Sequence, residues 1–252
     1  MVKAIYKKLV SERRRIAIRR GIKRIYALAY RGTTVRCNCC NRTFRKFLAK
    51  GNQPRANAEC PYCGSLERSR RMKFYLEREV FSQAMPQRIL HFAPEKCLDQ
   101  LFKNQSFEYV DADINPAYAS HPIDITRIPF PPNYFDLIIC SHVLGHVANE
   151  RRAISELHRV LKPGGQALIL SLLQAGREKT LEMPELETAA EKLHFYGEPD
   201  LCRAHGKDFI DRLGQANWTV ECVDYAQSLP AAFQDQYRLG NGERELFFVC
   251  VK

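Results

Sequence analysis

From residue 88 onward, short apolar runs alternate with stretches in which apolar residues recur every three or four positions, the pattern of a parallel sheet covered by helices. Strands are predicted over residues 88–92, 107–112, 135–140, 166–172, 219–225 and 245–251, and helices over 96–102, 149–161, 186–194 and 207–216. Earlier in the chain the texture differs. Ile18, Ile22, Ile25 and Ala29 recur at helical steps between Arg and Lys, which predicts a basic amphipathic helix within residues 3–30. A second helix is predicted over 66–81, with Met72, Tyr75, Leu76 and Val80 on one side, followed by a turn at Pro86. Residues 33–65 follow neither period. The chain is therefore divided into a basic helix (1–32), a small cysteine-bearing segment (33–65) and an α/β domain (66–252).

With 252 residues, 45% hydrophobic and 27% charged, the composition is that of a folded globular protein, and no apolar run approaches the ~20 residues that span a bilayer. The net charge of +11 is uneven: residues 1–75 hold 21 Lys and Arg against 3 acidic residues, and the remainder holds 18 against 25. A basic head of this kind is expected to meet an anionic partner, RNA or a membrane surface; the bland alternative is a solvated helix face. Residues 1–32 lack the apolar core and cleavage site of a secretion signal, so the expected compartment is the reducing cytoplasm, with peripheral membrane contact as a further option.

Ten cysteines sharpen the picture. Cys97, Cys140, Cys202, Cys222 and Cys250 are dispersed and read as small core fillers. The other five cluster. Cys37 and Cys40 form one CxxC pair and, after nineteen intervening residues, Cys60 and Cys63 form another, followed by Gly64. Two such pairs at this separation predict a zinc ribbon with a structural Zn²⁺, since four thiolates leave no open coordination position. Phe44 and Phe47 would supply its small core, and Cys39 is the extra cysteine outside the set.

In a parallel α/β sheet the ligand lies beyond the carboxyl ends of the strands, where strand order reverses. The segments there are His91-Phe-Ala93-Pro94-Glu95, Asp111-Ala-Asp113-Ile114, Asp124-Ile125, and Ser141-His142-Val-Leu-Gly145-His146. A carboxylate at the end of the second strand can accept from both hydroxyls of a ribose, the alternative being an aspartate that caps a turn. The helix over 149–161 ends in Pro163-Gly164-Gly165 and leads directly into the next strand.

Taken in order, Phe135-Asp-Leu-Ile-Ile-Cys-Ser-His-Val-Leu-Gly-His-Val and Glu156-Leu-His-Arg-Val-Leu-Lys-Pro-Gly-Gly resemble the class I S-adenosylmethionine-dependent methyltransferases, in particular their type 11-like branch, over about residues 88–175. The stretch from Cys60 through Arg70 and the segment 89–95 resemble a subgroup with a zinc-ribbon front end. The resemblance implies a Rossmann-like, doubly wound, mostly parallel sheet and S-adenosylmethionine as cofactor. Asp113 would hold the ribose with Ile114 beside it, Asp124 and Ile125 would flank the adenine, and Ser141 would adjoin the methionine moiety. Two departures from the family pattern stand out. The glycine-rich first loop is replaced by His91, Ala93, Pro94 and Glu95, and Gly145 stands where many relatives carry Glu.

Methyl transfer is an in-line displacement, so the protein mainly positions the nucleophile and, for an oxygen or nitrogen acceptor, removes its proton. His142 is the candidate base, because an imidazole ordinarily titrates near pH ~6.5; the alternative is that it packs against the cofactor. His146, Tyr196, Arg203 and His205 are candidate substrate contacts, each with a structural role as its alternative. The expected acceptor is a small molecule or glycan, such as a natural-product intermediate. Were it RNA, the ribbon should expose Arg42, Arg45, Lys46 and Arg55 beside Phe44 or Phe47. A third possibility is a non-catalytic scaffold with a degenerate nucleotide site, which the altered first loop motivates.

Overall fold

A computed structural model describes residues 10–52, 54–103, 106–240 and 246–252, with the backbone alone for five residues of the first helix. The chain forms two compact units. One holds residues up to Lys73 together with Glu95–Leu101 and Ala231–Gly240; the other holds Phe74–Pro94, Phe102–Pro230 and Asn241–Lys252. The basic helix and the cysteine segment thus belong to a single unit, which runs past the expected boundary at residue 65.

In the first unit, α1 (Glu12–Ala29) starts at Ser11, whose hydroxyl accepts the Arg14 N–H at 3.5 Å. The part of the predicted helix at residues 3–9 lies outside the described residues. Two antiparallel hairpins follow, β1 (Arg31–Cys37) with β2 (Arg42–Phe44), and β3 (Leu48–Lys50) with β4 (Arg55–Glu59). Val35, Phe44, Phe47 and Ala58 are buried, with the two phenylalanine rings edge to face at 6.0 Å. Next comes α2 (Glu67–Tyr75), which ends in a π-helical turn at Leu76–Val80.

Arg70 of α2 is fully buried, and among the described residues no carboxylate pairs with it. Its guanidinium instead donates to main-chain oxygens of Tyr237 (2.7 Å), Arg238 (2.6 Å), Ser65 (2.7 Å) and Ala58 (3.1 Å), and lies over the Phe47 ring. The charge is spread over a planar group whose donors are all used, the condition under which a buried cation is tolerated. This hub gathers the last loop of the ribbon and the segment around residue 237 into one unit.

Across the rest of the chain the elements are β5 (Arg88–Phe92), α3 (Asp99–Phe102), β6 (Glu108–Asp113), β7 (His121–Pro122), β8 (Phe135–Ser141), α4 (Glu150–Val160), β9 (Leu161–Leu170), α5 (Ala189–Tyr196), α6 (Phe209–Gly214), β10 (Thr219–Val223), α7 (Ala231–Tyr237) and β11 (Phe247–Val251). The seven-stranded sheet of the second unit has the order β10-β11-β9-β8-β5-β6-β7. Neighbours from β9 through β7 are parallel, and β11 runs antiparallel to both β9 and β10. Strand order reverses at β5, because the chain moves outward through β6 and β7 and then returns to place β8 on the other side.

β8 is buried along nearly its whole length, as a central parallel strand with both faces covered requires. α4 is capped by Asn149, which accepts the Arg152 N–H at 3.0 Å, and it buries Ala153, Ile154, Leu157 and Val160 against the sheet. Gly165 lies so close to Asp136 and Lys162 that a Cβ there would come within 3.1 Å and 2.9 Å of their main-chain oxygens. The predicted elements lie within a few residues of the observed ones, with two shifts that matter. β6 extends to Asp113, which puts that carboxylate at the strand tip. β9 ends at Leu170, which leaves Ser171 and Leu172 in the following loop. Of the dispersed cysteines, Cys140 and Cys250 fill the core, and burial pushes the Cys140 thiol up to about 12; Cys222, by contrast, is exposed.

Candidate active site

The backbone turns sharply just beyond β5 and β8. Ala93 has φ +50° and His142 φ +56°, the left-handed region that costs a side-chain-bearing residue about 1 kcal/mol or more. Both turns are held by main-chain hydrogen bonds: the Ala93 N–H donates to Ala112 O at 2.8 Å, and the His142 N–H to Leu170 O at 2.9 Å. Ala93 therefore takes the conformation a glycine would take in the usual first loop. Between these turns and the tip of β6 lies a cavity of about 730 Å³, within the size range of small-molecule sites.

The cavity brings together Ala93, Asp113, Ile114, Asp124, Ile125, His142 and His146 from the sequence reading, and adds Phe92, Tyr118 and Asp200. Asp113 accepts the Asn115 N–H on Oδ1 at 2.8 Å, which fixes the carboxylate at the end of the sheet while Oδ2 has no partner among the described residues. Asp111, two residues earlier, is committed to the Ser120 N–H and hydroxyl. Asp124 holds its own turn through Thr126, and buried Ile125 offers an apolar wall. Tyr118 and Asp200 come from loops without periodicity, so no sequence signal marked them.

Four residues expected at the cofactor do not line this cavity. His91 is fully buried in β5 with Nδ1 3.0 Å from the Tyr109 hydroxyl, because alternate residues of a strand face opposite sides of the sheet. Glu95 is ion-paired with Arg68 at 3.8 Å. Pro94 follows the turn at Ala93 and does not line the cavity, and Ser141, the last residue of β8, is buried.

The expected substrate contacts also divide. His146 lines the main cavity, with Nδ1 3.2 Å from Asp200 O. Tyr196, Arg203 and His205 instead border a chamber of only about 40 Å³, and each is held in a structural network. The Tyr196 hydroxyl bonds both main-chain groups of Met183. Arg203 is 2% exposed and donates to the carbonyls of Leu144, Val147 and Ala148 and to Glu182, so it clamps the loop after β8 and has no donor to spare for an acceptor. His205 lies between the Ser171 hydroxyl (2.5 Å) and Glu150 (2.6 Å). Gly145 also belongs to this packing: a Cβ there would stand 2.9 Å from the end of the Leu201 side chain.

Burial opposes ionisation of Glu150, but the hydrogen bond from His205 and the charges of Arg203 and Arg212 outweigh it and hold the carboxyl below its ordinary range. A lowered folded-state pKa gives stability that is present above the unfolded value near ~4.3 and is lost as pH falls through the folded value. The Tm is accordingly expected to fall on acidification below about pH 4, and Glu150→Gln to flatten that limb in a calorimetric pH series.

In the first unit, the sulfurs of Cys37, Cys40, Cys60 and Cys63 all lie within 4.8 Å of one another, with Cys37 to Cys63 at 3.6 Å and Cys40 to Cys60 at 3.8 Å. A tetrahedral metal with ~2.3 Å bonds to sulfur needs an edge of about 3.8 Å, so the donor set fits a four-cysteine metal site. It is the one such cluster among the described residues. The Cys39 thiol turns to Asn38 Oδ1 and Ser69 O.

Comparison with known proteins agrees with this arrangement. Residues 101–169 match the family described as Methyltransferase domain. The ubiquinone/menaquinone biosynthesis C-methyltransferase UbiE of Coxiella burnetii is 34% identical over 95 residues, 37% of this chain and 33% of that protein. UbiE of Cupriavidus metallidurans is 45% identical over 47 residues, 19% of each chain. The alignments thus span a third or less of these curated relatives. A S-adenosylmethionine-dependent methyltransferase from Archaeoglobus fulgidus shares the fold, with a TM-score of 0.50 at 14% identity over 75% of this chain and 95% of that one. The strand order and the cavity at the switch point are those of a Rossmann-like methyltransferase fold, and residues 101–169 within it match the methyltransferase domain family.

Proposed function

We propose that the chain transfers a methyl group from S-adenosylmethionine, bound in the cavity beyond β5, β6 and β8, to a small-molecule or glycan acceptor. The observation that carries this reading is Asp113, fixed at the tip of β6 with a carboxylate oxygen available on a cavity of cofactor size. When bound, the cofactor supplies an electrophilic methyl group on a sulfonium. Asp113 would accept from the ribose hydroxyls, and Ile125 with Phe92 would provide the apolar surroundings an adenine ring needs. No phosphate has to be cradled, so a first loop with alanine in place of glycines suffices once Ala93 adopts the left-handed turn.

His142 lines the main cavity and the adjoining chamber, and we assign it the proton of the nucleophile. That nucleophile is an oxygen or nitrogen; the C-methyltransferase relatives make carbon the alternative, and the position of the methyl in the product distinguishes them. The four cysteines would hold a structural Zn²⁺, since four thiolates leave no open position for catalysis.

Calorimetry tests the reading directly. The chain is expected to bind S-adenosylmethionine, and Asp113→Ala to lower that affinity at least about tenfold, the scale of losing hydrogen bonds to a charged group, with zinc content unchanged. Absence of heat at millimolar cofactor would instead make the domain a scaffold.

A further inference from the structure

The basic helix presents its apolar side outward. The side of α1 that meets the ribbon is polar: Lys23 Nζ is 2.8 Å from Glu59, whose other oxygen is held by Lys50 at 3.1 Å. On the opposite side Ile18, Ile22 and Ile25, at steps of four and three, form one stripe and are 46%, 45% and 68% exposed, with Leu28 beside them at 74%. A helix that merely covered its own protein would bury that stripe. A contiguous apolar surface rimmed by charge marks an interaction site.

The charge around the stripe indicates what covers it. Arg14 and Arg24 of α1, and Arg31, Arg36, Arg42, Arg45 and Lys46 of the ribbon, are exposed. The two carboxylates between residues 13 and 73 are both engaged elsewhere, Glu59 with Lys23 and Lys50 and Glu67 with Arg55, so among the described residues neither neutralises these exposed arginines. We propose that α1 lies in the interface of an anionic phospholipid membrane, with Ile18, Ile22 and Ile25 among the upper acyl carbons and the arginines on headgroup phosphates.

RNA suits the site less well. Phe44 and Phe47 are each 2% exposed and form the ribbon core, Arg55 is committed to Glu67, and isoleucines offer no stacking face. A second copy of the chain would set arginine borders against one another. A membrane satisfies both features at once, which matters because a short apolar stripe or a polybasic patch alone gives only marginal attachment. The inference is independent of the methyl-transfer reading.

Flotation of the full chain with vesicles tests it. Binding is expected to phosphatidylcholine vesicles carrying about 30% phosphatidylserine, to weaken with salt, and to be absent with phosphatidylcholine alone. Exchanging both Ile22 and Ile25 for Gln, a good helix former at exposed sites, should lower vesicle binding at least about tenfold with helicity and zinc content unchanged. Arg24→Gln and Arg31→Gln should each cost about fivefold. The proposal is overturned if the parent chain ignores anionic vesicles at low salt, or if the Ile22/Ile25 double variant binds them as well as the parent. Polyuridylate binding without vesicle binding would identify nucleic acid as the partner instead, and a parent dimer that the double variant makes monomeric would identify a self-interface.

Discussion

Cys60→Ser should abolish stoichiometric zinc binding and melt the two hairpins of the first unit. Cys37 and Cys60 are fully buried, and within residues 31–59 the buried apolar side chains beside the cysteines are Val35, Phe44, Phe47 and Ala58. A ribbon of about 30 residues cannot bury enough apolar surface to fold on that alone. Structural zinc contributes on the order of 10 kcal/mol to such modules at neutral pH, most of their folding free energy. Serine is a poor ligand here, and three thiolates left crowded without the cation repel one another. Metal analysis of the purified variant and the loss of a cooperative transition for this unit would register the change. Cys39→Ser is the control and should keep full zinc, because the Cys39 sulfur is engaged by Asn38 and Ser69. Unchanged zinc in Cys60→Ser would remove the metal assignment.

The second large effect is expected at Arg70. Replacing it with methionine fills much of the same space but leaves the main-chain oxygens of Ala58, Ser65, Tyr237 and Arg238 buried without those donors. Breaking a buried charged network typically costs about 3–5 kcal/mol. For a chain of this size that lowers Tm by about 10 °C if the protein unfolds as one transition. Arg70→Lys should be nearly as damaging, since a point ammonium cannot address four carbonyls spread around a planar fork. A loss under about 1 kcal/mol by calorimetry would mean that these carbonyls find other partners and that Arg70 is not the hub.

Much of the active-site strand framework was legible because its signals are local. The apolar runs at 88–92 and 135–141 need only a buried parallel strand to explain them, and the Pro-Gly-Gly turn needs only its own backbone. Asp113 could be placed at a strand end because counting along the strand is enough. The same counting failed for His91, where the face, not the position, decides the role: its side chain points to Tyr109 and away from the cavity.

Arg203 and His205 show the opposite case. Their residue types invite a substrate reading, and only the packed chain shows Arg203 gripping the carbonyls of Leu144, Val147 and Ala148, and His205 filled on both ring nitrogens. Likewise Arg70 sits beside Arg68 and Arg71 in a charged helix, and nothing along the chain marks it out from them as the hub. For α1, the periodicity predicted an apolar face; that this face looks outward follows from Lys23 and Glu59 meeting on the other side.

By itself, then, the order of residues determined the strands near the site, the four-cysteine set and the carboxylate at the tip of β6, since each depends on spacing within a short stretch. Tertiary structure decided which polar groups are spent on holding loops and which are left for a ligand. A hydrogen bond satisfies one partner at the expense of another, and which partner wins depends on groups brought close from distant parts of the chain.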